Sequence, residues 1–148
     1  MLSSTTNTLE FNPVMQSPLH PFGLAAKQEK INDSKGAWAN EIPRLGYISL
    51  RGNSQNAAFV SAVNSALSVE LPTQPCSILY TAWGSILWLS PDEWLITCKR
   101  DQRASLQQSL ETGLASIHCQ VVDNSGGYTT VLLKGKNASD VLHHCTVY

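Results

Sequence analysis

Two amphipathic helical stretches in this chain are separated by a strand, a tight turn and a second strand, and that order limits the folds open to it. In "SQNAAFVSAVNSAL", with Asn53 or Ser54 as N-cap, Phe59, Ala62, Val63, Ala66 and Leu67 share one helical face. In the second stretch, capped by Asp101, Leu106, Leu110 and Leu114 recur at four-residue spacing, with Gly113 near the end. Between them lie "SILY" and "SILWLS", strands around Trp83-Gly84, and "EWLITCK", a strand that follows a Ser90-Pro91-Asp92 turn. "RLGYISLRG" precedes the first helix as a β-rich run and "SIHCQVVD" follows the second. Strand, helix, strand, strand, helix, strand predicts an α+β fold containing a ferredoxin-like split βαβ (βαββαβ) unit.

The chain then starts again. "YTTVLLKG" is a further strand, joined to its predecessor by a turn at Asn124-Ser125-Gly126-Gly127, and a third helix opens at Asn137 with Ala138, Val141, Leu142 and Cys145 on one face. "ISLRGNSQNAAFVSAV" and "VLLKGKNASDVLHHCT" each run from an apolar strand through a basic residue and a glycine to a polar cap and a helix, with Gly52 and Gly135 in register. This is an internal repeat whose second copy is only begun, so the expectation is an incomplete second βα unit, a C-terminally truncated domain over 43–148, and self-association through unpaired strand edges. Residues 1–42, with Pro13, Pro18 and Pro21, many Ser, Thr and Asn and no sustained period, read as an extended N-terminal arm. In its most apolar part, "SPLHPFGL", Pro18 and Pro21 restrict the backbone, and Leu19, Phe22 and Leu24 are candidate anchors for a partner.

Composition narrows the partners. A net charge of -1 supplies no basic field for a nucleic-acid backbone or an anionic membrane surface. Charged residues are 14% of the chain, where about 25% is usual, which suits a surface partly covered by other subunits. No window approaches 18 apolar residues and the N-terminus has no basic start followed by an apolar core, so neither a membrane span nor a secretory leader is expected. Cys76, Cys98, Cys119 and Cys145 form no CxxC, and a cytoplasmic protein with free thiols is the expectation.

The chemistry-bearing clusters resolve mostly into structural roles. In "WLSPDEWLI", Pro91 presets a turn, a three-residue loop would set Trp88 opposite Trp94 and a four-residue loop would set it opposite Leu95, and both tryptophans read as packing or docking groups. Asp92 and Glu93 are neighbours on a strand and point to opposite faces, a poor acid/base pair. His143, His144 and Cys145 diverge around a helix, and with His118-Cys119 they lack a recurrent ligand spacing, so no catalytic, cofactor-binding or metal residue is assigned. "NSGGY" lacks a phosphate-loop pattern and reads as a hairpin turn.

Taken together, "SPLHPFGLA", "LRG" before a Phe-containing helix, "ILWLSPDEWLI", "VVDNSGG" and "LLKGKNASDVLHHC" resemble the gamma subunit family of heterotetrameric sarcosine oxidase, from about Ser17 onward. The most specific segment is close to the family pattern L-W-L-G-P-D-E-W-L, with Ser90 at the glycine position; "VVDNSGG" departs from "VVDVSDG" at Asn124 and Gly126. The resemblance implies a fold related to aminomethyltransferase (glycine cleavage T-protein). It also implies a non-catalytic gamma subunit supporting oxidation of sarcosine to glycine, with one-carbon transfer to tetrahydrofolate. The implied partners are the alpha, beta and delta subunits, chiefly alpha. FAD, FMN, NAD, tetrahydrofolate and zinc are then held by those partners and none by this chain. The candidate partner interface is Pro18, Leu19, Pro21, Phe22, Leu24, Trp88 and Trp94. The alternative is a free-standing folate-binding module in which Trp88 or Trp94 stacks on a pterin.

Overall fold

The computed structural model describes residues 13–24, 27 and 36–146. In chain order its regular elements are a 3-10 turn at His20–Phe22, β1 (Trp38–Ile42), β2 (Leu45–Gly52), α1 (Ala57–Leu67), β3 (Ile78–Tyr80), β4 (Gly84–Ser90), β5 (Glu93–Lys99), α2 (Arg103–Gly113), β6 (Cys119–Asp123), β7 (Thr130–Lys134) and α3 (Ala138–Cys145). Five strands form one antiparallel sheet in the order β3-β4-β5-β2-β6, and β1 pairs with β7 in a separate two-stranded ribbon. With β3 set aside as an added edge strand, β4-β5-β2-β6 is the strand order of the split βαβ unit expected from the sequence.

Both main helices cover one face of the larger sheet. Alternation along the strands sends Ile48 and Leu50 of β2, Ile86 of β4, and Trp94 and Ile96 of β5 to that face, where they are fully buried with Phe59 and Val63 of α1 and Leu110 of α2. The expected face of α1 is the observed one: Phe59, Val63 and Leu67 are buried, and Ala62 and Ala66 pack beside them. Gly52 is required at the end of β2 because the Phe59 ring lies where its Cβ would stand. The N-cap of α1 is Asn56, whose side chain accepts from the Ala58 N–H, while Asn53 instead closes the preceding turn on the Gln55 N–H. Similarly α2 starts after Gln102, so Asp101 does not cap it.

Three expectations are corrected. Asn124–Gly127 does turn, with the Gly127 N–H on the Asn124 carbonyl at 2.9 Å, but it closes no hairpin. β6 pairs with β2 and β7 with β1, because Asn124 and Ser125 bond back to β2: the Tyr47 N–H donates to Ser125 Oγ at 3.0 Å, and Asn124 Nδ2 donates to Ser49 Oγ at 2.7 Å. Second, the span read as an arm ends in a strand, and Trp38–Ile42 finds its pairing partner in the chain's own β7. Third, Trp88 does stand opposite Trp94, as one of the two expected loops would have it, but the β4–β5 connection is the two residues Pro91 and Asp92 with a bulge at Leu89 in place of a three-residue loop. The rest of the arm, residues 1–12, 25–26 and 28–35, lies outside the described residues, as do 147–148.

The second βα unit is laid out as the repeat predicts, with Gly135 (φ +114°) between β7 and α3 and its Cβ position blocked by the backbone of Gly36 and Ala37. α3 buries none of its residues; Val141 is 39% and Leu142 52% exposed. Leu142 stands seven residues after Gly135, as Phe59 does after Gly52, but is 52% exposed where Phe59 is fully buried.

Candidate functional site

Arm and hairpin were expected to form the partner surface, and the structure places them at opposite ends of β2. The arm lies by Glu41, Pro43 and Arg44, just before Leu45, whereas the hairpin turn meets Arg51, which pairs with Glu93. Along a strand rising about 3.3 Å per residue these ends are roughly 20 Å apart.

At the arm, Pro21 initiates the His20–Phe22 turn and Gly23, in the left-handed region at φ +59°, ends it with its N–H on the His20 carbonyl. Glu41 of β1 ties this turn down: Ser17 Oγ donates to one carboxylate oxygen at 2.8 Å and Thr129 Oγ1 to the other at 2.6 Å. The Thr129 bond is the main reason the Glu41 carboxyl titrates below its ordinary value; burial is the next largest effect and opposes it, and the Ser17 hydroxyl adds a smaller lowering. Leu19 and Leu24 are half-buried, Pro18 and Pro21 exposed, and Phe22 is 62% exposed. Sequence reasoning missed Glu41, Ser17 and Thr129, since no motif marks a carboxylate whose partners are 24 and 88 residues away.

At the hairpin the two tryptophans part company. Trp94 is fully buried, its ring centroid 5.9 Å from that of Phe59 and its Nε1–H donating to the Pro72 carbonyl at 2.7 Å. It is therefore removed from the candidate interface and cannot stack on a ligand. Trp88 is half-buried and borders a cleft of about 320 Å³ with Ser54, Gln55, Thr73, Pro75 and Pro91. Asp92 bonds Ser90 Oγ at 2.7 Å and Arg51 at 3.2 Å, and these contacts, the hydroxyl first, hold its carboxyl below the usual range.

Arg51, Asp92, His118 and Cys119 border an open cleft of about 550 Å³ at the same end of β2. Burial raises the Cys119 thiol, which works against its acting as a nucleophile. His143, His144 and Cys145 are exposed on α3, and among the described residues no three His, Cys, Asp or Glu side chains come together as a metal site. No helix among the described residues is long and apolar enough to cross a membrane.

The sheet face away from the helices also carries exposed apolar side chains. Tyr47 at one end is covered: its ring meets Tyr128 edge-on at 5.8 Å and its hydroxyl bonds Thr130 Oγ1 at 2.8 Å. Beyond it, alternation sends Leu87, Leu95, Ile78, Tyr80 and Val122 to this face, with Tyr80 78% and Ile78 48% exposed. Its hydroxyls are partly satisfied from within, Ser85 Oγ lying 2.7 Å from Thr97 Oγ1.

A split βαβ unit with both helices on one face and a second βα unit begun beside it makes this an α+β domain, and its fold is shared with an aminomethyltransferase. The chain is similar to the glycine cleavage system aminomethyltransferase T from Bartonella henselae (18% identity, TM-score 0.53, 74% of this chain and 32% of that one). It superposes further on a chain of the heterotetrameric sarcosine oxidase from Corynebacterium sp. U-96 (22% identity, TM-score 0.78, 90% of this chain and 68% of that one). The model of the sarcosine oxidase gamma subunit family matches residues 51–148, and the chain belongs to that family. No curated protein sequence matches it.

Proposed function

We propose that this chain is a non-catalytic structural subunit of a cytoplasmic sarcosine-oxidising complex. In that assembly FAD, FMN, NAD, tetrahydrofolate and zinc are held by the alpha, beta and delta subunits, and this chain packs chiefly against alpha. The observation that carries the reading is the chain's uncovered apolar surface: Tyr80, Ile78 and Val122 on the sheet's open face and Phe22 on the arm are exposed on a chain with few charges. Family membership supplies the kind of assembly that would cover them.

The test is co-expression with the alpha, beta and delta subunits, followed by size exclusion and a sarcosine-dependent peroxide assay with and without this chain. Co-elution, with loss of complex stability or turnover when the chain is omitted, is the expected result. Assembly and full turnover of the other subunits without it would overturn the proposal. Tight tetrahydrofolate binding by this chain alone, abolished by Trp88→Ala, would instead favour the folate-binding module, with Trp88 and its cleft as the stacking site.

A further inference from the structure

We propose that Glu41 is a positioning residue that holds the arm in a preformed docking knob, and that the knob enters an apolar, uncharged hollow on a partner subunit. The inference rests on the subunit reading above and adds which part of the arm makes contact and what sets its shape.

Three features of the arm carry it. Its apolar side chains divide by direction: Leu19 and Leu24 are half-buried against the chain, while Val14 (79%), Met15 (58%) and Phe22 (62%) project into solvent. The projecting group carries no acidic residue, lysine or arginine, since none occurs between Glu10 and Lys27, so its complement is a surface without a charge to satisfy. And the turn is ordered before any partner arrives. Pro21 and Gly23 shape it, and Glu41 clamps it from β1 through the Ser17 hydroxyl while its other oxygen is held by Thr129. A turn held in place beforehand loses less conformational entropy on docking than a free arm would.

The experiment titrates this chain, wild type and variants, onto the assembly of its partner subunits prepared without it, with thermal unfolding of each free variant as the control. Phe22→Ala is expected to weaken binding about 10-fold or more, as loss of an aromatic anchor does. Glu41→Ala is expected to weaken it comparably, yet by less than about 2-fold when added to Phe22→Ala, because it acts through the position of Phe22. Ser17→Ala cuts the clamp from the arm side, where the sheet cannot be disturbed, and is expected to reproduce part of the Glu41→Ala loss. Unchanged affinity of Glu41→Ala and Ser17→Ala, or fully multiplicative losses in the Glu41/Phe22 pair, would overturn the clamp. Failure of the wild-type chain to bind would overturn the subunit reading itself.

Discussion

Trp88 and Trp94 face each other across one hairpin, but their energetic weights differ. Trp94 is enclosed by the core and bonded to the Pro72 carbonyl, so Trp94→Ala should cost about 3–5 kcal/mol in urea unfolding. Trp88→Ala removes a half-buried ring and should cost clearly less. A result in the opposite order would contradict the packing described. Gly52 makes a second single-residue test. A methyl group there meets the Phe59 ring, and Gly52→Ala should destabilise by about 1–3 kcal/mol, whereas Gly126→Ala, with open space around it, should be nearly silent.

Strand pairing and the apolar core join the elements, and a carboxylate adds one further tie. Asp123 of β6 pairs with Arg103 of α2 at 2.7 Å and accepts from the Ser125 N–H and hydroxyl. Burial works to raise its pKa, but the Ser125 bonds and the Arg103 charge outweigh it and the net shift is downward. A carboxyl whose folded pKa is depressed contributes stability above its unfolded value, here 3.8, and loses it as the pH falls through the folded value. Stability should therefore be level near neutrality and decline once the pH falls below about 4, and Asp123→Asn should be less stable at neutral pH and show a shallower acid decline. Urea midpoints collected across that range would show it; equal slopes for both proteins would remove Asp123 from the account. The opposite sense holds for Cys98, buried beneath Gly46, whose thiol burial pushes up and keeps protonated.

For the whole molecule, the two βα units differ in how much they bury. The five-stranded sheet and its two helices hold every fully buried apolar side chain among the described residues, while α3 holds none. Amides of β2 and β5 should exchange only on global unfolding, and those of α3 and β7 much earlier. Hydrogen exchange read by mass spectrometry checks this; equal protection of α3 and β5 would mean that the second unit is covered by something else. Docking to partner subunits should also slow exchange at the arm around Phe22 if the knob is seated there.

Much of this protein is legible one residue at a time. Strand and helix periods, the Gly52/Gly135 repeat, the βαββαβ order and the face of α1 all follow from local spacing, because backbone geometry repeats every two or 3.6 residues. The family pattern around "LWLSPDEWLI" is local too, which is why the resemblance could be drawn from short segments. Only the tertiary structure decided that β6 and β7 belong to different sheets, that residues 38–42 pair with residues 130–134, that Trp94 is core while Trp88 reaches the surface, and that Glu41 gathers Ser17 and Thr129. Each depends on contacts between distant segments, and such contacts form by packing and hydrogen bonding in three dimensions, which periodicity along the chain does not encode.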